Sequence, residues 1–205
     1  VVAWVFWTAE SRDKAQEFYA AYRWCEDFSL RRREALARVL LGPLDVIVNR
    51  THQGQLAMND AILGCYSFDD RDLAGGQLFP LTLSPTLPAY LVQPLPNLDA
   101  AALDQTGFRP RAERLGLVDR LSNANLLPHG GGYSFAQYQQ VKGVVAEADH
   151  QRSFEIEKPG GAIDRVSDVR AAAYGYRGDE VRQRMLDLRL GQPVAKAEIT
   201  YILRV

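Results

Sequence analysis

Five of the ten prolines fall at positions 80, 85, 88, 94 and 96, and they restrict the middle of this 205-residue chain more than any other feature. Proline has no N–H for a sheet ladder, and its ring breaks a helix interior. The strand-like fragments at 78–83 and 89–92 are therefore expected as edge strands or extended crossings.

The flanks carry fewer interruptions. Residues 2–7 are almost wholly apolar and read as a buried strand. Ser11 is placed to cap a helix running to about Phe28, with Ala15, Phe18, Tyr19 and Tyr22 on one face. Ser29 is placed to cap a second helix carrying Ala35, Leu36, Val39 and Leu40, which Gly42-Pro43 stops. Residues 44–48 read as a short buried strand, 55–65 as a short helix, 66–76 as a polar turn, and 98–104 as a helical turn or two. From 134 to 158 the pattern predicts two or three antiparallel strands, with turns near Lys142-Gly143 and Asp149-His150. There Phe154 and Ile156 alternate with Glu155 and Glu157, the period of a half-exposed sheet. Asp179 is expected to cap a helix to about Leu190, with Val181, Met185 and Leu188 at helical spacing. Gly191-Gln192-Pro193 should break it, and 197–205 reads as a closing strand. Residues 166–176 fit no single period.

These elements make an α+β fold, read as a single domain over 1–205 with a sub-lobe boundary near 95–110. It has an N-terminal strand–helix–helix–strand unit, a mainly antiparallel sheet with helices on one side, and a C-terminal helix and strand. A chain of this length can bury a sizeable core. A 47% hydrophobic composition with net charge −1 lacks the signature of disorder. No apolar run approaches the roughly 18 residues of a membrane span, so no membrane partner is expected. The chain begins at Val1 rather than methionine and is read as trimmed or processed. Cys25 and Cys65 give neither a disulfide framework nor a zinc spacing. Cys25 is expected as a small buried apolar residue, and a reducing, cytoplasmic setting follows by default.

Residues 128–133, Pro-His-Gly-Gly-Gly-Tyr, hold the main chemical candidate. Glycine permits positive φ and close backbone approach, and His129 can titrate, donate or ligate near neutral pH. In one reading Gly130, Gly131, Gly132 and Tyr133 cradle an anion through their N–H groups. In the other they form a turn feeding a hairpin. His129 with the three glycines resembles the oxyanion loop of hormone-sensitive-lipase-like esterases, where backbone N–H groups hold the developing oxyanion. The Gly-x-Ser-x-Gly elbow that such an enzyme needs is absent from this sequence.

Arginine outnumbers lysine 20 to 4, and its planar fork suits phosphate recognition. Arg31, Arg32 and Arg33 fall in what reads as a helix first turn, a poor place for cations that invites a phosphate or acidic partner. Arg109, Arg111 and Arg114 form a second group. Tyr133, Phe135 and Tyr138 are candidates for stacking bases, although aromatic residues on strands are more often core. Asp69, Asp70 and Asp72 fail the calcium-loop test, because its twelfth position falls on Leu81. A solvated acidic turn fits them better, with Mg²⁺ on two of the carboxylates as the alternative. His52, His129 and His150 show no metal-site spacing. Neither phosphate-loop nor dinucleotide fingerprints occur, and no zinc-protease motif does.

Three functional readings follow. The first is a nucleic-acid- or nucleotide-binding subunit of a larger assembly, gripping RNA or another phosphate-bearing ligand through the arginines and the glycine loop. The second is a small-molecule enzyme using His129 with an anion site at 130–132. The third is a structural protein–protein module that joins other subunits. None of them implies a particular cofactor or metal.

Overall fold

The structure is a computed structural model that describes residues 12–51, 53–58, 60–148, 151–168 and 172–198. The strand expected at 2–7, the Ser11 cap, His52, the Asp149-His150 turn and most of the closing strand lie outside these residues.

Helix α1 spans Arg12–Leu41 as one uninterrupted element where the sequence suggested two. Ser29 sits in mid-helix, because neither glycine nor proline flanks it and an interior serine costs only a few tenths of a kcal/mol. The expected stop holds: Gly42 takes φ +79° and donates its N–H to Arg38 O at 2.9 Å. One face turns inward, marked by fully buried Ala15 and half-buried Tyr19, Tyr22 and Glu26. Residues 44–48 form no strand, and Val46 and Ile47 are exposed. The helix expected at 55–65 is instead a hairpin of β1 (Gln53–Ala57) and β2 (Asp60–Leu63), followed by β3 (Cys65–Ser67). Gly54, at φ +154°, lets Tyr22 of α1 press against the hairpin.

Within the polar stretch 66–76 a short helix forms, α2 (Asp70–Ala74). The acidic cluster builds it. Asp69 accepts the N–H groups of Arg71 and Asp72, while Asp72 returns a bond to the Asp69 N–H. Asp72 also pairs with Arg50.

Next come β4 (Phe79–Thr82) and β5 (Ala89–Pro94), which pair antiparallel, with β12 (Gly191–Ala197) on the far side of β5. Pro80 and Pro193 lie on the two outer strands, as the missing N–H demands. β5 is central, contrary to the edge placement expected from its prolines. Its only proline, Pro94, stands at the strand end opposite Gly191. Gly191 therefore begins a strand rather than only ending a helix. A side chain there would collide with Val92 and Leu127.

Short helices α3 (Ala100–Thr106), α4 (Arg109–Leu115) and α5 (Val118–Leu121) lead to β6 (Leu126–Pro128), which pairs with β3. β7 (Tyr133–Ser134) pairs with β11 (Gly175–Tyr176). β8 (Gln140–Ala146), β9 (Arg152–Glu157) and β10 (Ile163–Val166) form an antiparallel sheet with β9 central. Lys142-Gly143 is a bulge in β8, not a turn. Ile156 is buried, and Ser153 unexpectedly so. Helix α6 (Glu180–Asp187) stops short of Leu190, and Asp179 makes no capping bond because Arg182 engages its carboxylate.

The fold is α+β, but its strands divide among several small antiparallel sheets rather than one. The core gathers Tyr66, Phe79, Leu81, Leu127 and Met185 from β3, β4, β6 and α6, with Phe68 from the residue just after β3. Each such side chain contributes about 1.5–3 kcal/mol by leaving water. Asn97 is the polar knot of this core. Its Nδ2 donates to Leu95 O, Leu126 O and Leu190 O, and its Oδ1 accepts from the Leu126 N–H.

Candidate functional site

The glycine run continues β6 alongside β4. Thr82 donates its N–H to His129 O at 3.2 Å, and Gly131 donates its N–H to Thr82 O at 2.9 Å, making a parallel bridge. A Cβ on Gly130 would stand 2.0 Å from Thr82 O, and one on Gly131 would lie 2.3 Å from Arg177 O and 2.4 Å from Leu83 O. Backbone packing thus selects glycine at both positions. Gly132 needs glycine for another reason, a φ of +62° with open space beside it. Its carbonyl accepts the Arg177 N–H at 3.1 Å. Carbonyl oxygens crowd Gly130 and Gly131, and the Gly131 donor faces Thr82, so an anion at those two residues would meet negative dipoles.

His129 lies half-buried at the start of this crossing, with its ring against Gly64. Among the described residues no group of three or more His, Cys, Asp or Glu side chains is placed to hold a metal ion.

The crossing delivers the chain into β7, and there the surface turns aromatic. Tyr133 faces Tyr176 in register across β7 and β11, their rings 5.5 Å apart. Tyr174 meets Tyr133 edge-on at 4.6 Å, and Phe135 lies 6.4 Å from Tyr133. These four rings stay between 36% and 56% exposed, which sets them apart from core aromatics. Tyr133, Phe135 and Tyr138 also line a cleft of about 410 Å³ with Gln139, Gln140 and Arg177. The expectation of core packing for the strand aromatics fails here. Tyr174 and Tyr176 fall in the stretch 166–176 that fits no single period. Their Tyr-x-Tyr alternation was the available signal.

The arginine groups sit elsewhere. Arg31, Arg32 and Arg33 are in the middle of α1, so the cost of a helix first turn does not arise. Arg31 pairs with Asp27 at 2.9 Å, and Arg33 donates to Asn49 Oδ1. Arg109 binds Asp104 and Ala100 O, and this pairing holds its guanidinium more firmly protonated than usual. Arg111 and Arg114 share α4 with it. None of these bonds reaches the glycine crossing.

A second cleft of about 480 Å³ lies under α1, lined by Arg23, Glu26, Arg50, Gln55 and Gln77 among others. Among the described residues the buried Gln55 Oε1 has no hydrogen-bond partner. Farther in, burial pushes the Tyr66 hydroxyl up to about 12, with Arg33 opposing the shift. Burial also raises the Cys65 thiol, whereas Cys25 is exposed rather than buried.

Compared with models of known protein families, with curated proteins and with solved structures, the chain matches none.

Proposed function

We propose that this chain is a non-catalytic binding module for single-stranded RNA, stacking bases on the Tyr133–Phe135–Tyr174–Tyr176 platform. The observation that carries the reading is the cluster of four half-exposed rings on one small ribbon. Every base has a π-face, and an open aromatic surface accepts it without a hydrogen-bond code. Arg177 and Gln139 in the adjoining cleft supply a phosphate partner and an amide.

This reading moves the contact away from Arg31–Arg33 and Arg109–Arg114. Arg31 and Arg109 are already compensated by neighbouring carboxylates. With Arg177 as the cation lining this cleft, few phosphates are neutralised, so the affinity should fall only gently with salt.

The test is fluorescence anisotropy of a labelled oligouridine against wild type, Tyr133→Ala and Tyr176→Ala. Each stacked base is worth about 1–3 kcal/mol, so each variant should weaken binding by about five- to 150-fold. Arg109→Ala should change it little. Binding that ignores both tyrosines, or no binding by the wild type, would refute the proposal.

A further inference from the structure

Helix α1 has a second apolar face. Phe18, Ala21, Cys25, Phe28, Arg32 and Ala35 recur at alternating intervals of three and four, and Val39 extends the series. All of these are exposed, with Phe18 and Phe28 about half so and Val39 at 80%. The stripe lies about 120° around the helix from the buried Ala15 line at 100° per residue. A 3.5-residue period keeps such a stripe facing a partner helix along a left-handed supercoil.

From this spacing we infer that α1 pairs antiparallel with α1 of a second copy of this chain. Side-chain size argues for the direction. With the twofold axis between residues 26 and 27, Phe18 faces the second copy's Ala35, Phe28 faces its Cys25, and Arg32 faces its Ala21. Each of these three large residues then meets a small one, the alternation that fills a helix seam. A parallel pair would set Phe28 against Phe28 and Arg32 against Arg32, crowding one layer and placing like charges in another.

Charge along the flank agrees. Residues 17, 24, 31 and 38 border the stripe on one side. Antiparallel pairing puts Glu17 beside the second copy's Arg38 and Trp24 beside its Arg31, an ion pair and a cation–π contact, each made twice by symmetry. Trp24 is 67% exposed and already stacked on Phe28 at 5.7 Å, so the ridge is formed before association. Among the described residues Arg31 and Arg38 bind carboxylates one turn away, Asp27 and Glu34. Such pairs are weak enough to be shared.

Sedimentation equilibrium up to about 100 µM tests this, since apparent stability and assembly both follow protomer concentration. The wild type should be dimeric. Glu17→Arg should weaken the dimer at least about tenfold, and adding Arg38→Glu should restore it. Phe28→Arg should give a monomer with an unchanged circular-dichroism spectrum. If that variant fails to fold, the charge exchange decides alone, since it alters only exposed tips. A monomeric wild type overturns the inference, including the case where the chain's own terminal segments cover the face. So does a double exchange that fails to restore association.

Discussion

Alanine in place of each glycine at 130–132 separates a backbone crossing from an anion cradle. At Gly131 the new methyl would lie 2.3 Å and 2.4 Å from two carbonyl oxygens, Arg177 O and Leu83 O. Ordinary contact needs more than 3 Å, so β4 and the segment entering α6 must each retreat by about 0.7 Å. Overpacking of this kind costs about 1–3 kcal/mol. Losing the 2.9 Å bond from Gly131 to Thr82 adds about 1 kcal/mol. The expected total is about 3 kcal/mol, or about 6–12 °C in Tm for a chain of this size. Gly130→Ala should cost a similar amount, because its methyl would stand 2.0 Å from Thr82 O. Gly132→Ala meets no atom and bears only the left-handed backbone cost, about 1 kcal/mol. Urea titrations followed by circular dichroism at 222 nm give the order directly. A Gly132→Ala cost equal to or above that of Gly131→Ala would falsify the crossing argument.

Two further outcomes are expected of the core. Asn97→Ala should destabilise by about 3 kcal/mol, because it strips partners from Leu126 and Leu190 at once; urea unfolding showing less than about 1 kcal/mol would contradict the knot. Tyr66 should make the fold sensitive to alkali. Its folded value near 12 exceeds the usual value of 10, so the native state keeps a proton that the unfolded chain releases. Stability is then full below pH 10 and falls as pH rises towards 12, by about 2 kcal/mol once solvent screening at the hydroxyl is included. Urea midpoints measured from pH 9 to 11 should decline in wild type and flatten in Tyr66→Phe; an equal decline in both would assign the loss elsewhere.

Where local chemistry decides the structure, the sequence could be read. Gly42-Pro43 ends α1 because a positive φ followed by a proline cannot continue a helix. Pro80 lies on an outer strand because it has no N–H to share. Local patterns mislead where partners distant in sequence decide. The apolar run Leu56, Ala61 and Ile62 suits a helix locally, yet Gly54 and Gly64 bracket a hairpin that α1 covers. β5 is central only because residues about 100 positions later supply β12. The glycine run suggests an anion cradle through its N–H groups, whereas the carbonyls facing Gly130 and Gly131 come from Thr82, Leu83 and Arg177. No local pattern could announce those neighbours. The aromatic cluster is half legible: Tyr133 and Phe135 stand beside the glycine run, while Tyr174 and Tyr176 lie across a pairing that short strands leave unmarked.

The late arrival of β12 also bears on how the chain is made. Synthesis runs from the N-terminus, and β5 emerges long before residues 191–197 can pair with it. Until then one flank of β5 offers unpaired N–H and C=O groups to any other strand in reach. The donors on Asn97 wait for Leu190 O over the same interval. A chain cut before residue 190 therefore loses more than a C-terminal appendage: it is left with an open sheet and an unfinished core, a species whose expected fate is aggregation.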